Sequence, residues 1–110
     1  MKDAKEEALL YDFYGGLLKG RQKEIYEASV MDDLSLSEIA EEYGVSRQAV
    51  SAMLERCRKL LYGYEEELKL VRRFRKIKTT VLKIRETAEG FSGEGSNEIK
   101  KLTDKILGDL

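Results

Sequence analysis

Residues Ser35 to Leu61 read SLSEIAEEYGVSRQAVSAMLERCRKLL. Ser35 and Glu38 stand at the S-x-x-E spacing in which each side chain satisfies the other's orphan backbone N–H, so a helix starts here. It runs to about Tyr43, and Gly44 supplies the left-handed residue that closes it. Ser46 can cap a second helix, whose buried stripe is Val50, Met53, Leu54, Cys57 and Leu60 or Leu61. Ala40, four residues before Gly44, is small enough for two helices to cross closely. Ile39, Tyr43, Val45, Val50 and Met53 lock the second helix to the first. A small crossing residue, a turn residue tolerating positive φ and an apolar lock are the requirements of a helix-turn-helix.

With the lock set, the outward face of the second helix follows. Arg47, Gln48, Ser51 and Ala52 occupy its first turns, away from Val50 and Met53. In a DNA major groove Arg pairs with guanine and Gln with adenine, Ser adapts, and Ala can meet a thymine methyl. The helix N-terminus and the Ser46 and Ser51 hydroxyls suit phosphates. Ser46, Arg47, Gln48, Ser51 and Ala52 are therefore the candidate DNA-binding residues, with Arg56, Arg58 and Lys59 as backbone contacts. Glu38, Glu41 and Glu42 on the preceding helix weaken the local field. As ordinary solvated side chains on a helical bundle, the same residues need no ligand.

Working outward, Leu9, Leu10, Phe13, Tyr14, Leu17 and Leu18 form one apolar stripe, which predicts a first helix from about Asp3 to Leu18. Gly15 and Gly16 within it weaken it or permit a close helix crossing. After Gly20, RQKEIYEASVM predicts a second helix, ended by Asp32-Asp33. Gly63 predicts a break after the helix-turn-helix. Beyond it Leu70, Phe74, Ile77, Val81, Ile84 and Ala88 alternate steps of four and three, a seam on a long helix reaching about Glu89. GFSGEGSN reads as a flexible linker, and Ile99, Leu102, Ile106 and Leu107 as one face of a terminal helix.

The chain has 110 residues, 37% of them charged and 42% hydrophobic, with no Pro, no Trp and no His. Such a composition predicts an almost wholly helical protein. Nothing is long and apolar enough to insert in a membrane, and the charged N-terminus does not read as a signal peptide. A lone cysteine builds no disulfide framework, and the cytoplasm is the expected compartment. The net charge of −1 hides an asymmetry: Lys69, Arg72, Arg73, Arg75, Lys76, Lys78, Lys83 and Arg85 follow one another with no acid between them. Arg72, Arg73, Arg75 and Lys76 are further candidates for phosphate contact, although a solvated helix face would carry the same charges.

Without His, histidine-based catalysis and His-rich metal sites are excluded. Cys57 falls on the apolar stripe and reads as core. Glu65, Glu66 and Glu67 are consecutive, so they point around a helix rather than pairing as acid and base. GFSGEGS follows no strand and carries no Gly-Lys-Ser/Thr, so it is no phosphate loop. The expectation is a non-enzyme without cofactor or metal.

The stretch from Leu10 to Leu70, and above all LYDFYGGLL, Gln22, Asp32-Asp33 and SLSEIAEEYGVSRQAV, resembles the YlxM family of small bacterial helix-turn-helix proteins. The last block is also similar to region 4 of sigma-70-type factors. The first resemblance implies a bacterial cytoplasmic protein, encoded beside the signal recognition particle GTPase and regulating that pathway, with Arg47, Gln48 and Ser51 facing nucleic acid. Lys19-Gly20 departs from relatives that carry a Thr capping the second helix. The residues after Val71 carry little of the family pattern.

The expected fold is all-α: a sigma region 4-like helix-turn-helix bundle without a wing over residues 1–62, then a dimerisation extension over 63–110. That extension comprises the long basic helix, the Gly/Ser linker and the short terminal helix. The expected function is a DNA-binding regulator, DNA rather than RNA, acting as a homodimer and linked to signal recognition particle components. The alternative is an adaptor that binds no DNA, or an RNA-binding protein acting on those components.

Overall fold

The computed structural model describes residues 4–110, which form six α-helices and no strand. Helix α1 spans Ala4–Tyr14, followed by a 3₁₀ turn at Gly15–Leu17; α2 spans Gly20–Val30, α3 Leu36–Tyr43, α4 Arg47–Leu68, α5 Leu70–Glu89 and α6 Glu94–Asp109. Packing divides the chain after Lys69 into two units. The expected all-α architecture and its helix-turn-helix, α3 and α4, are present.

In the first unit α1 ends at Tyr14 rather than Leu18, and its expected start at Asp3 lies outside the described residues. Gly15 is buried, and a Cβ on it would come within 2.7 Å of the Tyr11 ring. The glycine thus makes room for a ring of its own helix, not for a helix crossing. Tyr11 in turn stacks on Tyr26 of α2, with centroids 5.8 Å apart. Helix α2 starts at Gly20, with Lys19 as an N-cap residue that makes no side-chain cap bond. The missing cap anticipated from Lys19-Gly20 is real.

The helix-turn-helix forms as its residues dictate. The Glu38 amide donates to Ser35 Oγ at 3.1 Å and the Ser35 amide to Glu38 Oε1 at 2.8 Å. The Ser35 amide first, and then the Ser35 side chain, hold the Glu38 carboxyl below its ordinary value. Gly44 closes α3 at φ 66° and ψ 36°, a conformation only glycine adopts cheaply. The Ala49 amide donates to Ser46 Oγ at 3.0 Å, capping α4. Ile39, Ala40, Val50, Leu54, Cys57 and Leu61 are buried between α4 and its neighbours, whereas Met53 is half-buried and Leu60 exposed.

Helix α4 does not break at Gly63 but continues to Leu68, where Lys69 caps it in the left-handed region at φ 56°. An interior glycine costs about 1 kcal/mol against alanine. Polar ties around it outweigh that cost. Tyr62 donates to Glu6 Oε1 at 2.8 Å and Tyr14 to Glu65 Oε1 at 2.6 Å, while the Tyr14 and Tyr64 rings lie 6.0 Å apart. One turn earlier, the buried Glu7 accepts from Tyr26 at 2.9 Å and from Arg58 Nε at 3.0 Å.

In the second unit α5 and α6 form a helical hairpin. The sequence predicts an eight-residue linker, but α6 starts at Glu94, directly after Gly93 at φ 119°. Ser96 explains the early start: its hydroxyl is buried and donates to the Ala88 carbonyl at 2.5 Å, satisfying the end of α5. Helix α6 therefore packs through Ser96 and Thr103, with Ile99 and Leu107 half-buried, while Leu102 and Ile106 of its expected face stay exposed. On α5, Val71, Val81 and Ala88 are buried, whereas Ile77 and Ile84 remain 47% and 45% exposed. Short side chains at Ala88, Ser96 and Thr103 let the helices approach closely and leave the longer ones outside.

The buried hydroxyls and thiol make stability sensitive to alkali. Burial raises the Cys57 thiol from 9.0 to about 11. Burial, then the bond to Glu27, raises Tyr11 from 10.0 to about 12; burial and the Glu7 carboxylate raise Tyr26 further still. The folded chain keeps these protons where the unfolded chain has lost them, so their stabilisation is complete below pH 9 and drains as pH rises through 12. Thermal melts should give a midpoint that holds between pH 7 and 8.5 and falls steadily from about pH 9.5 upward. A midpoint unchanged at about pH 11 would contradict this.

Candidate nucleic-acid interface

Residues 46–52 begin α4, held from below by Val50 and from the side by the Ser46 cap. Arg47, Gln48, Ser51 and Ala52 are all exposed, as is Ser46. Three of them, Arg47, Gln48 and Ser51, line one shallow recess together with Leu36, the first residue of α3. Ala52 stands one turn further along and does not line it. Five donor hydrogens on Arg, the two-faced amide of Gln and a Ser hydroxyl converge here, a set that can pair with base edges. Ser46 Oγ already accepts the Ala49 amide, which leaves its hydroxyl hydrogen to donate.

The basic residues further along α4 separate into two groups. Arg56 and Lys59 are exposed on the side that also carries Gln48 and Ala52, at helical spacings of three, four and seven. Arg58 points the other way. Its Nε is 3.0 Å from Glu7 and its Nη1 3.6 Å from Glu55, with only a fifth of the side chain accessible. Expected as a phosphate contact, Arg58 instead serves the packing of α1 on α4, because a buried Glu7 needs a cationic donor more than the surface does.

A second recess, an acidic one, is lined by Glu38, Glu41 and Glu42 of α3. The cap bonds keep Glu38 ionised, so the negative charge anticipated beside the reader is present. In the second unit Arg72, Arg73, Arg75, Lys76, Lys78 and Lys83 are exposed. At about 100° per residue, Arg72, Lys76 and Lys83 share the face opposite Val81 and Ala88. Arg85 is turned to α6, its Nη1 2.9 Å from Asp104, and Lys78 lies over the Phe74 ring at 5.7 Å. The acid-free run is therefore not one stripe but a basic outer face with two flanking cations used within the hairpin.

Leu36 is the residue that sequence reasoning passed over. It continues the spacing of Ile39, Ala40 and Tyr43, so periodicity alone assigns it to the core. At the first position of α3 it sits at the edge of the bundle rather than inside it, and it stays 38% exposed. The signal that could have found it is its place directly after the cap, one residue from Ser35.

Comparison with known proteins gives a consistent result. Residues 1–104 match the family model described as "Putative helix-turn-helix protein, YlxM / p13 like". The chain is 45% identical over 97 residues to the UPF0122 protein YlxM of Bacillus subtilis, covering 88% of this chain and 86% of that one. It is 39% identical over 111 residues to a UPF0122 protein of Desulforamulus reducens, covering 97% and 95% of the two chains. It is 49% identical over 71 residues to a UPF0122 protein of Symbiobacterium thermophilum, covering 64% and 66%.

Proposed function

The chain belongs to the YlxM / p13-like family of helix-turn-helix proteins, and from that membership we propose that it is a DNA-binding regulatory protein with α4 as its reading helix. The observation that carries this is the convergence of Arg47, Gln48 and Ser51 on one exposed recess at the start of α4, the region that enters the major groove in this motif. Ser46 and Ala52 flank the contact, and Arg56 and Lys59 grip the backbone. Its role is binding rather than catalysis, in the cytoplasm. The resemblance to YlxM proteins extends the proposal to a regulatory link with the signal recognition particle pathway.

The exposed cations of α5, Arg72 and Lys76 on its outer face with Arg73 and Arg75 flanking them, supply a second, sequence-independent hold on phosphate. The protein acts as a homodimer through the α5–α6 hairpin, for which the exposed Ile77, Ile84, Leu102 and Ile106 are the support. Two helices alone cannot bury such a face. A second copy related by a twofold axis covers it as a four-helix arrangement.

Three outcomes are expected. Selection from random DNA with the full chain should enrich a defined sequence, and Arg47→Ala and Gln48→Ala should each weaken it by about 1–3 kcal/mol with little effect on random DNA. Equal loss on both kinds of DNA would remove them as base readers. Replacing Arg72, Arg73, Arg75 and Lys76 with Gln should flatten the salt dependence of binding between about 50 and 200 mM; an unchanged slope would return α5 to a merely solvated face. In sedimentation equilibrium the intact chain should be dimeric and the Ile77→Glu, Ile84→Glu variant monomeric, whereas an intact chain monomeric at high micromolar concentration would rule the dimer out.

A further inference from the structure

We infer that Leu36 is a specificity-determining residue, forming the apolar wall of the reading recess and receiving the C5 methyl of a thymine beside the purine met by Arg47 or Gln48. The inference rests on the DNA-reading role of α4 proposed above and goes beyond it in naming a residue outside α4 and the base it selects. An exposed leucine by itself means little, since apolar atoms make up much of any protein surface. The position of this one is what counts. Leu36 shares a single recess with Arg47, Gln48 and Ser51, and it is the one apolar side chain lining it.

A recess of three polar side chains and one aliphatic tip matches a ligand edge that is polar with one apolar corner. In the major groove an A·T pair presents, in order, the adenine N7 acceptor, the N6 amine, the thymine O4 acceptor and the thymine methyl. Gln pairs with the first two groups, a hydroxyl suits the third, and the fourth is a methyl that water solvates poorly. Guanine and cytosine offer no such corner, and uracil lacks the methyl. The A-form RNA major groove is in addition too narrow for side chains to read. Leu36 thereby makes B-form DNA containing thymine the preferred ligand class.

The backbone around Leu36 fixes where its side chain can go. Ser35 and Glu38 satisfy each other's amides at 2.8 and 3.1 Å, and Gly44 sets the turn that brings α4 beside the start of α3. Leu36 is the first helical residue inside that cap and, at 38% exposed, lies at the edge of the bundle rather than among its buried residues. Trimming it removes contact surface from the recess without emptying a buried core position.

The test uses the full chain and the duplex recovered by selection from random DNA, with each thymine replaced singly by deoxyuridine. Binding is read by fluorescence anisotropy. Moving one methyl from water to an apolar contact is worth about fourfold in affinity, so one replacement should weaken wild-type binding by about that factor. Leu36→Ala should bind the thymine duplex more weakly by a similar factor and no longer distinguish it from the deoxyuridine duplex, with an unchanged melting temperature. Leu36→Met, which keeps an apolar tip, should retain the distinction. An enriched sequence in which no thymine replacement matters, or a Leu36→Ala variant that still discriminates, overturns the assignment of Leu36 and leaves the DNA-reading role standing. Failure to enrich any sequence overturns that role, and the assignment of Leu36 with it.

Discussion

Glu7 of α1 is buried to within 8% of full burial and accepts hydrogen bonds from Tyr26 of α2 and Arg58 of α4. Three helices meet at that carboxylate, and the position of α4 depends on it. Taking a charge out of water costs several kcal/mol, and the two donors recover that cost only in this one geometry. The pair is thus better understood as selecting an arrangement than as adding stability. Were Arg58 removed, Glu7 would stay buried with the Tyr26 hydroxyl as its remaining donor in this cluster and no cation beside it, a loss of about 3–5 kcal/mol.

The bulk of the binding of α4 to its neighbours is apolar. Val50, Leu54, Cys57 and Leu61 are buried along one side, each worth about 1.5–3 kcal/mol when the side chain is of aliphatic size. Such burial tolerates sliding by a turn, because one aliphatic layer resembles the next. The phenol–carboxylate bonds Tyr62–Glu6 and Tyr14–Glu65 do not. They fix the far half of the helix while Ser46 fixes its start, so residues 47–52 are presented at a set angle on a rigid support. Diverting Arg58 into this framework removes one cation from the surface, and Arg56 and Lys59 are what remains for the outer face.

What the sequence made legible was local. The capping box at Ser35 and Glu38, the left-handed Gly44 and the cap at Ser46 each draw on residues within four positions, and each formed as read. The exposure of Arg47, Gln48, Ser51 and Ala52 followed from the same register. What could not be read required a partner distant in sequence. The fate of Arg58 is decided by Glu7, 51 residues away, and the survival of α4 past Gly63 by Glu6 and Tyr14. The register of α6 was misjudged because hydrophobic spacing favours Leu102 and Ile106, whereas a buried hydroxyl bonded to Ala88 favours Ser96. Leu36 was hidden by the opposite error, since a periodic stripe does not reveal that its first member overhangs the bundle.

The claim at the centre of this account is that the start of α4, with Leu36 beside it, is the surface that meets DNA. Amide chemical-shift mapping of the full chain, titrated with a duplex enriched from random sequence, tests it most directly. The account predicts that the largest changes fall on residues 46–52 and on Leu36, with smaller ones on the outer face of α5 and none around Glu7 and Tyr26. Changes confined to residues 70–110, with α4 unmoved, would contradict it.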